Sequence, residues 1–375
     1  MTAPAKRTFE VEKLARIYDD EIAPCWAARF ARLLLRDLAL PARSQVLDVA
    51  CGTGYPTLEI LRRMTEGSRL IAIDESSAML DVVRRKVAAL GRLAGKGVFF
   101  RTQSAVPKLA FADEVYDLVV CNLGLADMPS IAGALRDFAR VAKPGGEVRC
   151  TLPLAGTFEE FHDLYREVLV KHDRHDALER LERHVARYPA SDVAERWLAE
   201  AGLAGSVEIE EFSLLFRSSR EFFFAPVIEY GPLAEWKAIA GDGDDMQDVF
   251  WHIKEAIDAY FAGGPFQLTV RAGCVMGKKA ARPSEPLCLE AFDVITTPVP
   301  TAFDLEDSPF DDIDTGLPWP PQPIAIGSVR VSDSDVLADL EELGSGEFSL
   351  DDDARDEADL DAFLAGKKRP PHLVD

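Results

Sequence analysis

A short segment near the start of the chain combines an apolar strand-like run, a glycine-containing turn and a helix-like stretch. It reads VLDVACGTGYPTLEIL over residues 46–61, with Gly52 and Gly54 in the turn. Glycine lets the backbone approach a ligand closely, and the free amides at a helix start can bind a carboxylate or a phosphate. The segment therefore predicts a turn that contacts a polar small molecule.

A single acidic residue, Asp74, strengthens this prediction, because it ends the next apolar run 20 residues after Gly54. A carboxylate at this spacing can accept hydrogen bonds from the two ribose hydroxyls of an adenosine. The third position of the glycine pattern is Thr57, which disfavours close packing over a dinucleotide pyrophosphate. The alternative is that the glycines serve only the turn and that Asp74 caps the following helix.

Seven apolar runs are candidate strands, and helix-like stretches separate the first five. The runs are VLDVA (46–50), LIAID (70–74), VFF (98–100), YDLVVC (116–121), EVRCTL (147–152), SVEIEEFSLLFRS (206–218) and FQLTVRAGCVMGKK (266–279). Leu58, Leu61 and Thr65 mark one helix, and an apolar stripe from Ile131 to Ala142 marks another. Residues 157–203 are helical in pattern. This alternation predicts an α/β fold with a mainly parallel sheet.

Four motifs in order resemble those of the class I S-adenosylmethionine-dependent methyltransferases, especially the branch with quinone and other small-molecule methyltransferases. They are VLDVACGTG, IAIDESSAML, FADEVYDLVVCNLGLADMP and RVAKPGGEVRCTLP, and the similarity runs from about Tyr18 to Lys279. The resemblance implies a doubly wound, seven-stranded, mainly parallel sheet of the Rossmann-like methyltransferase type, with a helical lid. It also implies S-adenosylmethionine as the cofactor and methyl transfer as the activity.

The resemblance further implies where the cofactor binds. Asp48 would hold the ammonium group of its methionine part, Asp74 would bind the ribose, and Met79 would pack on the adenine. Tyr18 would close over the cofactor, and Leu123 would sit with Asn122 beside the reactive methyl. The full implied set is Tyr18, Asp48, Ala50, Cys51, Gly52, Thr53, Gly54, Asp74, Glu75, Met79, Ser104, Ala105, Asn122 and Leu123.

Two positions depart from the family pattern. Where relatives usually have an Asp followed by Ala to bind the adenine amino group, this chain has Ser104 before Ala105, so Gln103 would share adenine recognition. Where many relatives carry a His after the fourth strand, this chain has Ala126 and Asp127.

The candidates for a general base are Asp127 and His162, the latter one of four histidines in the helical insert. No metal site is expected.

Three segments would form the lid and select the acceptor, residues 8–40, 155–204 and 219–265. The last is rich in aromatic residues, including Phe222, Phe223, Phe224, Trp236, Phe250 and Trp251. Their number indicates an apolar or aromatic small-molecule acceptor, methylated on oxygen or carbon by in-line displacement. The alternative is that these aromatics form ordinary core beneath the lid.

The charge of the chain is strongly acidic, with 64 Asp and Glu against 42 Lys and Arg, for a net charge of −22. Such a surface repels nucleic acids and anionic membranes. Six scattered cysteines without a CxxC pair, and a first segment without an apolar signal core, lead us to expect a cytoplasmic protein without a membrane span.

The acidity is concentrated at the end of the chain. Residues 280–375 carry 23 acidic and 6 basic residues and 11 of the 23 prolines. We therefore expect a methyltransferase domain over 1–279 and a mostly disordered acidic tail over 280–375, with two short amphipathic stretches that can fold onto a protein partner. The alternative function is a catalytically weak methyltransferase-fold protein that regulates or interacts through this tail, and a merely solubilising tail is equally open.

Overall fold

The computed structural model describes residues 11–91, 97–261 and 264–282. Within them lies one sheet of seven strands in the order β3-β2-β1-β4-β5-β7-β6. The first five strands pair in parallel, and β7 runs antiparallel to both β5 and β6. The bounds are β1 Gln45–Val49, β2 Arg69–Asp74, β3 Gly97–Thr102, β4 Tyr116–Asn122, β5 Ala142–Pro153, β6 Leu203–Phe216 and β7 Phe266–Lys279.

The predicted strands are confirmed, and so is the Rossmann-like methyltransferase fold. Each apolar run becomes a strand because the inner strands are covered by helices on both faces, so continuous apolar sequence is buried there. In β1, for example, Val46, Leu47 and Val49 have no exposed surface. Two predicted helices extend too far at their C-terminal ends. Thr65 lies beyond the helix that ends at Arg63, and Ala142 is the first residue of β5.

Helices cover both faces of the sheet. Residues 11–17 form helix α1, which continues into a π-helical turn at Tyr18–Ile22. The other helices are α2 Ala27–Leu34, α3 Tyr55–Arg63, α4 Ser77–Ala89, α5 Ile131–Val141, α6 Glu159–Lys171, α7 His175–Val185, α8 Ser191–Glu200, α9 Ser219–Phe224, α10 Pro226–Glu229, α11 Leu233–Ala240 and α12 Gly243–Tyr260.

Two separate hydrophobic clusters hold these layers together. One joins α2, α3 and α4 to the lid helices α6, α7, α11 and α12. The other lies on the opposite face and packs α5 and α8 against the sheet. The helices predicted for the insert and for the segment before β7 thus have a buried apolar face, which is what stabilises them.

The strand order reverses beside β1, which has β2 on one side and β4 on the other. In open α/β sheets, ligands bind in the crevice beyond the carboxyl ends of the strands at such a switch point. The ends of β1, β2 and β4 are therefore where the fold would hold a ligand.

The predicted tail lies outside the described residues except for 280–282, so its disorder and its partner stay predictions. The division into a domain of 1–279 and a tail of 280–375 also stays a prediction. In the described ranges, no helix is long and apolar enough to cross a membrane.

Candidate cofactor and acceptor site

The turn after β1 contains two glycines, and at one of them, Gly54, the backbone leaves no room for a side chain. Gly54 has φ 92°, and a Cβ there would lie 2.2 Å from Cγ2 of Val83 in α4. Gly52 has φ 53°, but a Cβ there would meet no atom within 4 Å. Gly54 therefore lets α3 start close to α4, whereas Gly52 leaves open space above the turn.

Asp74 turns its carboxylate toward the glycine turn. Its Oδ2 accepts a hydrogen bond from the backbone N–H of Gly52 at 2.9 Å, and its Oδ1 accepts one from the N–H of Ser76 at 2.8 Å. Ser76 is itself the N-cap of α4, since its hydroxyl accepts from the N–H of Met79. The alternative that Asp74 caps α4 is therefore wrong, because Ser76 is the cap and Asp74 instead binds the N–H of that cap residue and faces the turn.

A cavity of about 240 Å³ opens beside this carboxylate. It is lined by Ala50, Asp74, Glu75, Gln103, Ala105, Val106, Gly124, Asp127 and Met128. The Nε2 of Gln103 is buried and has no hydrogen-bond partner. Ser104 does not line the cavity, and its hydroxyl donates to the carboxylate of Glu75. The cavity wall therefore contains the unsatisfied amide of Gln103 beside the acidic residues Asp74 and Glu75, and not the hydroxyl of Ser104.

Asp48 lies beneath the turn with no exposed surface. The hydroxyl of Thr57 donates to its Oδ2 at 2.5 Å, while its Oδ1 has no partner. Burial raises the pKa of Asp48 to about 7, against the lowering effect of the Thr57 hydroxyl. The neighbouring Cys51 and Thr53 are buried too, and the Thr53 hydroxyl has no partner. These predicted cofactor residues support the turn from below and do not line the cavity.

The ends of β1 and β4 meet in strained backbone. Ala50 has φ 53° and Leu123 has φ 70°, both in the left-handed region that non-glycine residues rarely adopt. Next to them, a Cβ at Gly124 would lie 2.4 Å from the Cβ of Ala50. Gly124 is a site residue that sequence reasoning missed, although its position directly after Leu123 was a usable signal.

Asn122 has a different surrounding from the one predicted. Its Nδ2 donates to the carbonyl of Ala27 in α2 at 3.0 Å, and its Oδ1 accepts from the hydroxyl of Thr151 at 2.8 Å. The backbone N–H of Leu123 also donates to that hydroxyl oxygen, at 3.0 Å. Asn122 lines neither of the two cavities described here, whereas Leu123 lines the larger one.

The larger cavity has a volume of about 510 Å³ and lies under the lid. Tyr18 and Met79 line this cavity, although the prediction placed Met79 at the adenine. Burial, followed by the charges of Asp74 and Asp127, raises the pKa of Tyr18 to about 12. The remaining lining residues are Leu14, Ile22, Trp26, Leu123, Ala126, Asp127, Ile131, Leu152, Pro153, Phe158, His184, Arg187, Tyr188, Pro189, Val227, Tyr230, Gly231, Pro232 and Glu235.

The aromatic residues expected to line an acceptor pocket form core instead. Phe222, Phe223, Trp236 and Phe250 have no exposed surface and line neither cavity. Trp251 lies on the exposed face of α12. The expectation was wrong for these residues and the alternative of ordinary core is confirmed for the four buried ones, because the number of aromatic residues in a segment does not tell a core from a cavity wall. The aromatic walls come from Tyr18, Trp26, Phe158, Tyr188 and Tyr230.

Asp127 is common to the linings of both cavities. Although its side chain is exposed to them, the surrounding protein desolvates it and raises its pKa, and the charge of Glu235 adds to the effect. A carboxylate at this junction with a raised pKa can accept a proton from a ligand in the larger cavity.

The other candidate base, His162, is not in contact with either cavity. It is 2% exposed among aromatic rings, and burial lowers its pKa to about 3. His184 is the histidine that lines the larger cavity, with Nδ1 3.2 Å from Oε2 of Glu235. Among the described residues, no three His, Cys, Asp or Glu side chains come together as metal ligands.

The first part of the chain is similar in sequence to known methyltransferases. A family model described as a methyltransferase domain matches residues 46–146. The demethylmenaquinone methyltransferase of Shouchella clausii is 34% identical over 131 residues, covering 35% of this chain. The alignment spans only 54% of that relative's length.

Two further similarities have lower identity. The demethylmenaquinone methyltransferase of Staphylococcus aureus (strain JH9) is 25% identical over 211 residues, covering 54% of this chain and 83% of that one. The solved structure of the YcgJ protein of Bacillus subtilis superposes with a TM-score of 0.45 at 18% identity, covering 68% of this chain and 99% of that one.

Proposed function

We propose that this chain is a class I S-adenosylmethionine-dependent methyltransferase and that it moves a methyl group to an oxygen or carbon of an apolar small molecule. The observation that carries the proposal is the hydrogen bond from the N–H of Gly52 to Asp74. It brings the turn after β1 and the carboxylate after β2 together at the edge of one cavity. These two groups are the ones a nucleoside ligand with a charged amino acid part would contact.

The residues at the smaller cavity fit S-adenosylmethionine. A carboxylate has about four lone-pair positions, so Asp74 can bind ribose hydroxyls in addition to the two N–H groups it already accepts from. The unsatisfied Nε2 of Gln103 can donate to an adenine nitrogen. The methionine part would lie in the open space above Gly52, where an added Cβ would meet no atom within 4 Å. The set of cofactor residues from Tyr18 to Leu123 given above remains our proposal.

The bound cofactor supplies a methyl group on a sulfonium, with a good leaving group already in place. The protein must therefore hold the acceptor in line with that methyl and keep water away. The apolar wall that would exclude water from the acceptor includes Leu123, Phe158 and Trp26. Asp127, at the junction of the cavities, would take the proton that the acceptor loses when its new bond to carbon forms.

The proposed acceptor is apolar or aromatic. A cavity of about 510 Å³ lies in the size range of small-molecule sites and has aromatic residues in its walls. Two of the relatives are named demethylmenaquinone methyltransferases, which makes a quinone-like ring the first acceptor to test. We further propose a cytoplasmic protein whose domain ends near Lys279 and whose acidic tail binds a protein partner.

The cofactor part is tested by calorimetry on the full chain with S-adenosylhomocysteine. We expect binding, and we expect Asp74→Asn to weaken it about tenfold to a hundredfold, because hydrogen bonds to a charged group are lost. Asp81→Asn is the matched control, since Asp81 is exposed on α4 and its carboxylate pairs with Arg84, away from both cavities. Absence of binding by the wild-type chain at millimolar ligand would refute the proposal.

The acceptor part needs an unbiased experiment. The chain is incubated with S-adenosylmethionine labelled in the methyl group and with a cell extract, and the labelled product is identified by mass spectrometry. An apolar product carrying the label on oxygen or carbon is expected. A chain that binds the cofactor yet labels only proteins or polar amines would contradict the proposed acceptor class.

A further inference from the structure

Three polar side chains in the wall of the larger cavity have no part in the transfer proposed above. They are His184 at the end of α7, Arg187 just after it, and Glu235 in α11. Apart from Asp127, the rest of the wall is apolar or aromatic, and in such a wall a few polar groups decide how a ligand is oriented. Their hydrogen bonds show which of them can still bind a ligand.

The carboxylate of Glu235 interacts with both His184 and Arg187. Its Oε2 lies 3.2 Å from Nδ1 of His184 and 2.7 Å from Nη1 of Arg187. A carboxylate beside Nδ1 keeps the ring proton on that nitrogen. In the neutral ring, the other nitrogen, Nε2, is then an acceptor only.

Nε2 of His184 is buried and has no partner. The nearest rings, those of His162 and Tyr188, have centroids 5.9 Å and 6.1 Å from that of His184, and neither donates to it. Buried polar atoms are nearly always hydrogen-bonded, because an unsatisfied one is costly. An acceptor atom in a cavity wall that lacks a donor therefore indicates a donor on the ligand.

The charge state of His184 agrees with this assignment. Burial lowers its pKa, with a smaller lowering by Arg187, while Glu235 acts in the opposite direction. The ring is therefore neutral near pH 7 and accepts a hydrogen bond at Nε2. The titratable groups around it are Glu235, Arg187, Tyr188 and His162, together with Arg180 and Arg183, which line a shallow surface cavity with it.

We propose that His184, oriented by Glu235, accepts a hydrogen bond from a hydroxyl of the methyl acceptor and so determines acceptor specificity. The proposal rests on the proposed function, because its ligand is the acceptor. It includes a small displacement of wall side chains, since Nε2 has almost no surface of its own in the described structure. The acceptor is then a hydroxylated aromatic compound held by its hydroxyl at this end of the cavity.

The test uses two probes with the same ring system, 2-naphthol and its methyl ether 2-methoxynaphthalene, of which only the naphthol can donate a hydrogen bond. Their affinities for the full chain are measured by calorimetry with S-adenosylhomocysteine present. We expect the wild-type chain to prefer the naphthol about threefold to tenfold, the value of one net hydrogen bond. His184→Phe keeps an aromatic ring of similar size, so it should abolish the preference and leave the affinity for methoxynaphthalene nearly unchanged.

The control is His175→Phe, which changes the same residue type at the exposed start of the same helix. It should retain the preference. Glu235→Gln is the second variant, because an amide can donate to Nδ1 and move the ring proton to Nε2. We expect it to lower the preference for the naphthol even if His184→Phe does not fold.

The outcomes separate this inference from the proposed function. If S-adenosylhomocysteine binds but the wild type does not prefer the naphthol, the assignment to His184 is wrong. The same conclusion follows if S-adenosylhomocysteine binds and neither probe does. A preference that persists in both His184→Phe and Glu235→Gln overturns it equally. If S-adenosylhomocysteine itself fails to bind, the proposed function fails, and His184 loses its ligand with it.

Discussion

The backbone N–H of Gly52 donates to Oδ2 of Asp74 at 2.9 Å, which joins the turn after β1 to the last residue of the neighbouring parallel strand β2. The same carboxylate accepts the N–H of Ser76 at the start of α4. Asp74 therefore shapes the turn and faces the smaller cavity at the same time. A variant at this position must be compared with a fold control before its effect is assigned to a lost ligand contact.

The two glycines of the turn should differ in their tolerance of alanine. Gly54→Ala places a Cβ 2.2 Å from Val83 in a left-handed conformation, so we expect a loss of about 2 to 5 kcal/mol in the free energy of unfolding. Gly52→Ala meets no atom and should lose only about 1 to 2 kcal/mol. Urea unfolding of both variants measures the difference. Equal losses would show that steric contact with α4 is not what requires Gly54.

The hydroxyl of Thr151 should position the end of β4. It donates to Asn122 and accepts from the N–H of Leu123, which also donates to the backbone carbonyl of Thr151 at 3.2 Å, so Thr151→Val leaves Oδ1 of Asn122 without this donor. We expect a loss of about 1 to 3 kcal/mol in the free energy of unfolding. Thr102→Val, at an exposed position of β3, should change it by less than about 0.5 kcal/mol. Similar values for the two variants would contradict the role of this hydroxyl.

The strands and their order in the chain could be predicted because buried parallel strands require continuous apolar sequence. The Gly52, Gly54 and Asp74 constellation could be predicted because it depends on short spacings. The pairing of His184 with Glu235 could not, since the two residues are 51 positions apart and meet only when α7 packs near α11. For the same reason, the apolar pattern of Phe222 or Trp236 did not reveal which side of the lid they face.

The buried carboxyl of Asp48 should make stability depend on pH. Its folded pKa of about 7 exceeds the ordinary value of 3.8, so the native state binds this proton more tightly than the unfolded state. Stability is therefore greatest for this group below about pH 4 and decreases as the pH rises toward 7, by up to about 1.4 kcal/mol per unit. Asp48→Asn keeps an acceptor for Thr57 and has no charge to bury.

The free energies of unfolding of the wild type and of Asp48→Asn are measured by urea titration from pH 4 to pH 8. The variant should gain relative to the wild type as the pH rises, and the difference should level off above about pH 7. A difference that does not vary with pH would mean that Asp48 is ionised in the native state throughout.

Asp127 should be needed for turnover and not for cofactor binding. Asp127→Asn keeps the shape of the side chain but cannot take a proton, so we expect kcat to fall about 10² to 10⁴-fold while S-adenosylhomocysteine still binds. Because desolvation by the surrounding protein and the charge of Glu235 raise the pKa of Asp127, the wild-type kcat/KM should decrease as the pH falls through that raised value. The variant should lack this decrease. Asp113→Asn, at an exposed position away from both cavities, is the control. If Asp127→Asn retains full kcat on the acceptor identified from the extract, the proton goes elsewhere and Asp127 only shapes the passage between the cavities.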